Sequence, residues 1–312
     1  MRLNSKKILV GIFSYNEGEN LRRMYNQLRS QCLGPNYTIV LIDKSDEPFT
    51  INIVNEINMY DGVINISTVN VKRGKVYAYN LLFDYFLKNN YDILLHFDAD
   101  HTLSADAVVK LVKSIEDGFD ISTCLNKPFK RGNLFQRILY IMAMPGIMAR
   151  ENRTFDLTLV GHNGAYGRNA IEKIGIIPPG GIDDELYVLS KVLACGLSHT
   201  IVLDAMSYFT LPGNIGDYVR STRRVYGRVK SFKESCTKSE LNNDAKNHSD
   251  KVVRSIYSRP PVNHILRSLT FDPFAALFTP YLFLVRWVVM KAAQPYRSDT
   301  WETVQTTKIL GS

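Results

Sequence analysis

Short apolar runs, each closed by polar punctuation, recur through the first 125 positions. Residues 8–13 (ILVGIF), 38–43 (TIVLID), 92–97 (DILLHF) and 120–125 (DISTCL) are rich in branched side chains and too short for helices. Each predicts a buried strand. Residues 63–71 alternate, with Val63, Asn65, Ser67 and Val69 set against Ile64, Ile66, Thr68 and Asn70, and predict a further strand. Helical spacing fills the gaps: Leu21, Met24 and Leu28 within 20–30, the apolar stretch 76–87, and Val108, Leu111, Val112 and Ile115 behind a Ser104 cap. Strands that alternate with helices predict an α/β fold with a doubly wound, mostly parallel sheet. Such sheets bind ligands beyond the carboxyl ends of their strands, so the polar residues that follow each run are the candidates for chemistry.

The second half is less regular. Residues 132–150 carry the apolar patch ILYIMAMPGIMA with a Pro-Gly break, and 157–160 predict a short strand that leads into the glycine-rich segment 161–167 (GHNGAYG). A helix is expected over 185–195 and a strand over 200–203. After Leu211 the chain turns basic, then polar over 239–250, then apolar over 271–293. This shift divides the chain into a catalytic α/β domain, 1–212, and a helical extension, 213–312. Residues 274–293 have the length of a bilayer span of about 20 residues. However, Pro280, Arg286 and Lys291 interrupt them, and Tyr281, Phe283 and Trp287 suit an interface. The reading is of helices that lie on a membrane surface, ahead of a buried helix or a true span.

Composition narrows the class. A chain of 312 residues, 45% hydrophobic and 22% charged, is neither disordered nor fibrous. The net charge is +8, and residues 211–260 hold 11 Lys and Arg against 5 Asp and Glu, so most of the excess sits in one stretch. Basic charge beside apolar segments points to anionic lipid or a phosphorylated partner. No nucleic-acid motif accompanies it, so no nucleic-acid partner is expected. The four cysteines are far apart without metal or disulfide spacing, and no secretion signal opens the chain. The expected location is the cytoplasm, at the cytoplasmic face of a membrane. The oligomeric state is left open.

The chemistry-bearing residues cluster after the predicted strands. Asp98-Ala99-Asp100 places two carboxylates where they can converge on one hard divalent cation that also grips a diphosphate. His101 is either a third ligand or a neighbour. In Ser14-Tyr15-Asn16-Glu17, an aromatic ring and polar side chains suit a nucleobase, and Asp43 suits a base imide or ribose. Lys72-Arg73-Gly74-Lys75 suits a diphosphate or a base. In Gly161-His162-Asn163-Gly164, the glycines permit close approach to a sugar, with His162 and Asn163 placed for its hydroxyls, or else form a tight turn. Arg220, Arg223, Arg224 and Arg228 have spacing that allows one helical face, to clamp a donor diphosphate or a lipid phosphate. Asp183-Asp184-Glu185 opens the helix that follows Pro178-Pro179-Gly180-Gly181.

Tyr15-Asn16-Glu17, the Asp43 strand end, the segment 72–80 and Asp98-Ala99-Asp100, in that order and spacing, resemble the family 2 glycosyltransferases of the GT-A fold, over roughly residues 6–230. The resemblance implies inverting transfer of a sugar from a nucleotide-diphosphate sugar to a lipid, lipid-linked or glycan acceptor. It implies Mn²⁺ or Mg²⁺ on Asp98 and Asp100, and a base within 183–185, with Asp184 preferred and Asp183 and Glu185 open. Lys44-Ser45-Asp46 departs from the second acid often found after the position of Asp43, and Lys72-Arg73 stands where Arg-Asn is common. A Gln-x-x-Arg-Trp motif is missing, and Arg220 to Tyr226 occupy that region, which speaks against processive polymerisation. The alternatives are a sugar nucleotidyltransferase, which would need a glycine-rich triphosphate loop near the first strand, and a non-catalytic membrane-bound scaffold. A dehydrogenase and a P-loop NTPase lack their glycine motifs.

Overall fold

The computed structural model describes residues 6–32, 34–59, 63–65, 74–130, 132–152, 163–178, 184–237, 252 and 260–295. Its strands are β1 (Ile8–Ser14), β2 (Tyr37–Asp43), β3 (Val63–Asn65), β4 (Ile93–Asp98), β5 (Thr102–Leu103), β6 (Ile121–Pro128), β7 (Gly164–Gly167) and β8 (His199–Phe209). They form one sheet in the order β3-β2-β1-β4-β7-β6-β8-β5. Pairing is parallel from β3 through β4 and again between β6 and β8. It is antiparallel where β7 joins β4 to β6 and where β5 meets β8. The expected α/β fold with a helical C-terminal extension is present.

Both faces of the sheet are covered, which is why its central strands read as continuous apolar runs. On β1, Leu9 and Phe13 point to one face, against α3 (Lys75–Lys88), α6 (Arg168–Ile174) and α7 (Asp184–Ala194). Ile8, Val10 and Ile12 point to the other, against α1 (Glu19–Gln31), α2 (Pro48–Asn58) and α4 (Ala107–Glu116).

Several elements depart from the sequence reading. Helix α2 was not expected: its branched residues mask a helix that starts with Pro48 and buries Ile53, Val54 and Ile57. α5 (Leu134–Glu151) runs unbroken through the Pro145-Gly146 position. An Asn133–Gln136 capping box starts it, and buried residues on both sides of Pro145, such as Ile141 and Ile147, offset a proline cost of about 3 kcal/mol. β8 is longer than the expected 200–203 and carries a register shift opposite Cys124 and Leu125. Of the expected strand 63–71, Val63–Asn65 is a strand and the rest lies outside the described residues, as does 157–160. The described end of the glycine-rich segment is strand β7 rather than a loop.

The extension contributes α8 (Ile215–Thr237), α9 (Val262–Leu269), α10 (Pro273–Ala276) and α11 (Thr279–Ala292). Val229 and Phe232 of α8 join the core beside α3 and α7, while Ala275 and Leu282 pack on Ile138, Leu139 and Ile141 of α5. The chain therefore returns to the sheet after residue 212, which falls in the connection between β8 and α8. α11 buries Thr279, Leu282 and Val289 but exposes Tyr281, Phe283, Leu284, Trp287 and Val288, an apolar face turned outward. Among the described residues no helix is long and apolar enough to cross a membrane.

Gly164 marks a close approach of backbones within the sheet: a Cβ there would lie 2.5 Å from the backbone oxygen of Ser122. Gly164→Ala is expected to destabilise the protein by about 2 kcal/mol through this forced separation of β6 and β7. Urea unfolding checks it, and an unchanged midpoint would show that the two strands can part at no cost.

Candidate active site

Three strand ends meet in register. Ser14 pairs with Asp43 across β1 and β2, and Phe13 pairs with Asp98 across β1 and β4. The turn after β4 is pinned to β1 by a hydrogen bond from Ala99 N to Phe13 O, at 3.0 Å. Within it, one ligand atom from each of Asp98, Asp100 and His101 lies within 4.8 Å of the others. Two carboxylates and an imidazole suit a divalent ion such as Mn²⁺. His101, left open by the sequence, thus joins the acidic pair.

A buried relay holds this turn from behind. Asp98 N donates to Asn163 Oδ1 at 2.9 Å, Asn163 Nδ2 donates to Ser207 Oγ at 2.7 Å, and Ser207 Oγ lies 2.8 Å from His101 Nδ1. Asn163, expected from the sequence to meet a donor sugar or to form a tight turn, has a fully buried side chain with both ends of the amide engaged, and it braces this turn. Ser207 carried no signal in the sequence, because an inward-facing serine on a strand has no motif. Arg23 on α1 also went unread; its Nη2 donates to His101 O at 3.3 Å.

Lys75 starts α3 and enters the site directly. Its Nζ lies 2.9 Å from Asp98 Oδ2 and 4.0 Å from Glu185 Oε1. Burial alone would lower its pKa, but Asp98, Asp184 and Glu185 together outweigh burial and hold the ammonium charged well above the ordinary lysine range. Asp184 and Glu185 open α7, as expected, with Asp184 1% exposed. Both stand behind Lys75, and neither is among the residues that line the cavity. Asp183, Lys72, Arg73 and His162 lie outside the described residues.

The remaining expected donor residues divide. Tyr15 and Glu17 line the cavity. Ser14 is fully buried beneath it. Asp43 is buried and spends its oxygens on the adjoining turn, accepting from Ser45 N at 3.0 Å and Ser45 Oγ at 2.7 Å. It ties the ends of β1 and β2 together, because Ser45 Oγ also accepts from Asn16 N at 2.7 Å. Arg220 and Arg223 are exposed and off the cavity, with Arg220 paired to Asp217 at 3.3 Å. Arg224 and Arg228 do line it, so the four arginines do not share one face.

The cavity encloses about 480 Å³. One end is polar, with Lys75, Asp98, Asp100 and His101. The other is built by α5, α8, α11 and the segment after β8, and brings Leu139, Met142 and Leu211 together with Arg224, Arg228 and Arg286.

Comparison with known proteins agrees with this layout. The family model for glycosyl transferase family 2 matches residues 9–175. Polyprenol monophosphomannose synthase of Mycolicibacterium smegmatis is 25% identical over 188 residues, which cover 55% of this chain and 66% of that protein, just under two thirds of its length. Among solved structures, mannosyltransferase PcManGT from Pyrobaculum calidifontis, in complex with GDP-Man and Mn²⁺, superposes with a TM-score of 0.59. It is 16% identical, over 92% of this chain and 86% of that one. GalNAc-T7 with UDP, GalNAc and Mn²⁺ has a TM-score of 0.55 and 16% identity, over 83% of this chain and 59% of that one. At these identities the structural likeness is one of fold.

The Lys75 cluster yields a test. Lys75→Met keeps the bulk of the side chain but leaves its carboxylates without their cation. The expected cost is about 3–5 kcal/mol, read as a lowered urea midpoint. A variant as stable as the parent would mean that the carboxylates are balanced by other groups.

Proposed function

Given that the chain belongs to glycosyl transferase family 2, we propose that it transfers a sugar, with inversion, from a nucleotide-diphosphate sugar to a lipid, lipid-linked or glycan acceptor at a membrane surface. The observation that carries this reading is the convergence of Asp98, Asp100 and His101 at the wall of a cavity that also holds Tyr15, Glu17 and Lys75. Asp98, Asp100 and His101 would hold Mn²⁺ or Mg²⁺, whose charge stabilises the departing diphosphate. The Tyr15 ring offers a face for the base. Lys75 fixes the Asp98 carboxylate, and Asn163 and Ser207 fix the backbone and imidazole of the same turn.

An acceptor hydroxyl calls for a base within about 2.6–3.2 Å or one water away. The acidic stretch 183–185 would supply it, with Asp184 preferred and Asp183 and Glu185 as its neighbours. Membrane association is supported by the exposed apolar face of α11, by the basic stretch 211–260, and by a relative whose name includes a polyprenol. The chain would sit on the cytoplasmic face through residues 213–312, with 1–212 as its catalytic domain.

A screen of nucleotide-sugars with Mn²⁺ or Mg²⁺ tests the reaction. Release of nucleoside diphosphate is the expected outcome; release of pyrophosphate would point to nucleotidyl transfer, and no turnover with any donor would leave a scaffold. Asp100→Ala should weaken Mn²⁺-dependent binding of the donor by about 10–100-fold in a titration calorimeter, and unaltered affinity would remove Asp100 from the metal site. Replacing Phe283 and Trp287 with glutamate should reduce sedimentation with anionic vesicles. Undiminished binding would place the membrane contact elsewhere.

A further inference from the structure

We propose that Ser207 is a positioning residue for the cation site: its hydroxyl reverses its hydrogen bond to His101 as the ion enters, and so presents Nε2 as a ligand. The inference rests on the metal-dependent transferase reading and deepens it, by assigning the nitrogen that meets the ion, the residue that selects it and the choice of metal that results.

The direction of the relay is fixed from one end. A backbone N–H can only donate, so the hydrogen bond from Asp98 N, at 2.9 Å, turns the amide oxygen of Asn163 toward the metal turn. The amide nitrogen then faces Ser207 Oγ at 2.7 Å, and it too can only donate. One lone pair of Ser207 is thereby taken. One lone pair and one hydrogen remain, and His101 Nδ1 lies 2.8 Å away. Asn163 and Ser207 are fully buried and His101 is 6% exposed, so water has little access to this junction.

Ser207 can meet His101 in two ways. If its O–H donates to Nδ1, the neutral ring carries its proton on Nε2. If Nδ1–H donates to Ser207 Oγ, both lone pairs of the serine are used and Nε2 keeps its own lone pair. Nε2 lies 3.7 Å from Asp100 Oδ1. Without a cation the first arrangement is favoured, because an N–H attracts a facing carboxylate and a lone pair repels it. A ligand nitrogen must be unprotonated, so the second arrangement is the one that binds metal. In the exchange Nε2 gives its proton to solvent, Nδ1 takes one up, and Ser207 turns its hydrogen away. No net proton is gained or lost. A hydroxyl serves both arrangements, whereas a carboxylate or an ammonium in its place would lock one of them.

The residue is held for this exchange at ring and backbone. The Phe209 ring centroid lies 5.7 Å from that of the imidazole, and Arg23 Nη2 donates to His101 O at 3.3 Å. The consequence is a choice of metal. Asp98 and Asp100 offer only oxygen, which suits Mg²⁺ and Mn²⁺ alike. An imidazole with a fixed nitrogen favours first-row transition ions, while Mg²⁺ retains oxygen ligands and water. Ser207 therefore biases the site toward Mn²⁺, and Asn163 acts through Ser207.

Nitrogen NMR of the full chain, at a pH above the ordinary histidine range, reads the tautomer directly once the His101 ring is assigned through its own backbone. The metal-free protein should carry the proton on Nε2. Saturation with Zn²⁺, a diamagnetic stand-in, should move it to Nδ1. In calorimetric titrations the parent should bind Mn²⁺ more tightly than Mg²⁺. Ser207→Ala should lower Mn²⁺ affinity by about 10–100-fold and affect Mg²⁺ much less. A proton that stays on Nε2 with Zn²⁺ bound, or that already sits on Nδ1 without it, would overturn the proposal. So would equal losses of Mn²⁺ and Mg²⁺ affinity in Ser207→Ala, since Ser207 would then only brace the turn. The NMR measurement needs no variant, so it decides the matter even if Ser207→Ala fails to fold. A parent protein that binds neither ion, alone or with a nucleoside diphosphate, is a different result: it removes the metal-dependent reading on which the proposal rests.

Discussion

One ammonium group balances the centre of this molecule. Lys75 Nζ stands between the carboxylate that ends β4 and the acids that begin α7, so elements distant in sequence share one counter-charge. Carboxylates brought together out of water repel each other and favour protonation. The Lys75 ammonium, 2.9 Å from Asp98 and 4.0 Å from Glu185, offsets that repulsion. The same pair ties the first turn of α3 to the sheet, so the electrostatics of the site and the docking of a helix depend on one contact.

Around that centre the cavity is divided by its construction. The polar wall comes from the parallel half of the sheet, where strand ends meet in register. The apolar and cationic wall comes from α5 and the helices after residue 212, which fold back over the site. A transferase must receive two substrates of different character in one enclosure, and here each wall has a separate structural origin. Loss of the late helices would leave the polar wall standing and remove the other.

The strand ends were legible because they obey a simple rule: a branched apolar run stops, and the next polar residues face the ligand. Asp98, Asp100, Tyr15 and Lys75 were all found in this way. What stayed hidden depends on contacts between distant segments. Ser207 and Arg23 act through partners at His101, more than 70 positions away in each case, and no local pattern announces such a partner. Asn163 was noticed for its glycine neighbours, but its bracing contacts were not legible, since only the packed sheet shows that both ends of its amide are used. The arginines of α8 fit a helical face by spacing alone, yet tertiary packing sends Arg224 and Arg228 inward and leaves Arg220 and Arg223 in solvent. Arg286 registered only as an interruption in an apolar stretch, because its place on the cavity wall depends on which side of α11 meets α8.

β7 runs against its neighbours, so it begins at the edge of the sheet where β4 finishes, and its register sets His96 opposite Gly164. Asn163 therefore reaches the backbone of Asp98 only when that ladder has closed in this one alignment. A slip of a single residue would invert which side chains face each surface and put a different residue in the place of Asn163. If the turn holds the proposed cation, its affinity would in this sense be a report on strand alignment. A chain that has collapsed without seating β7 would keep its acidic residues yet bind the ion poorly, which separates folded from nearly folded molecules by chemistry rather than by shape.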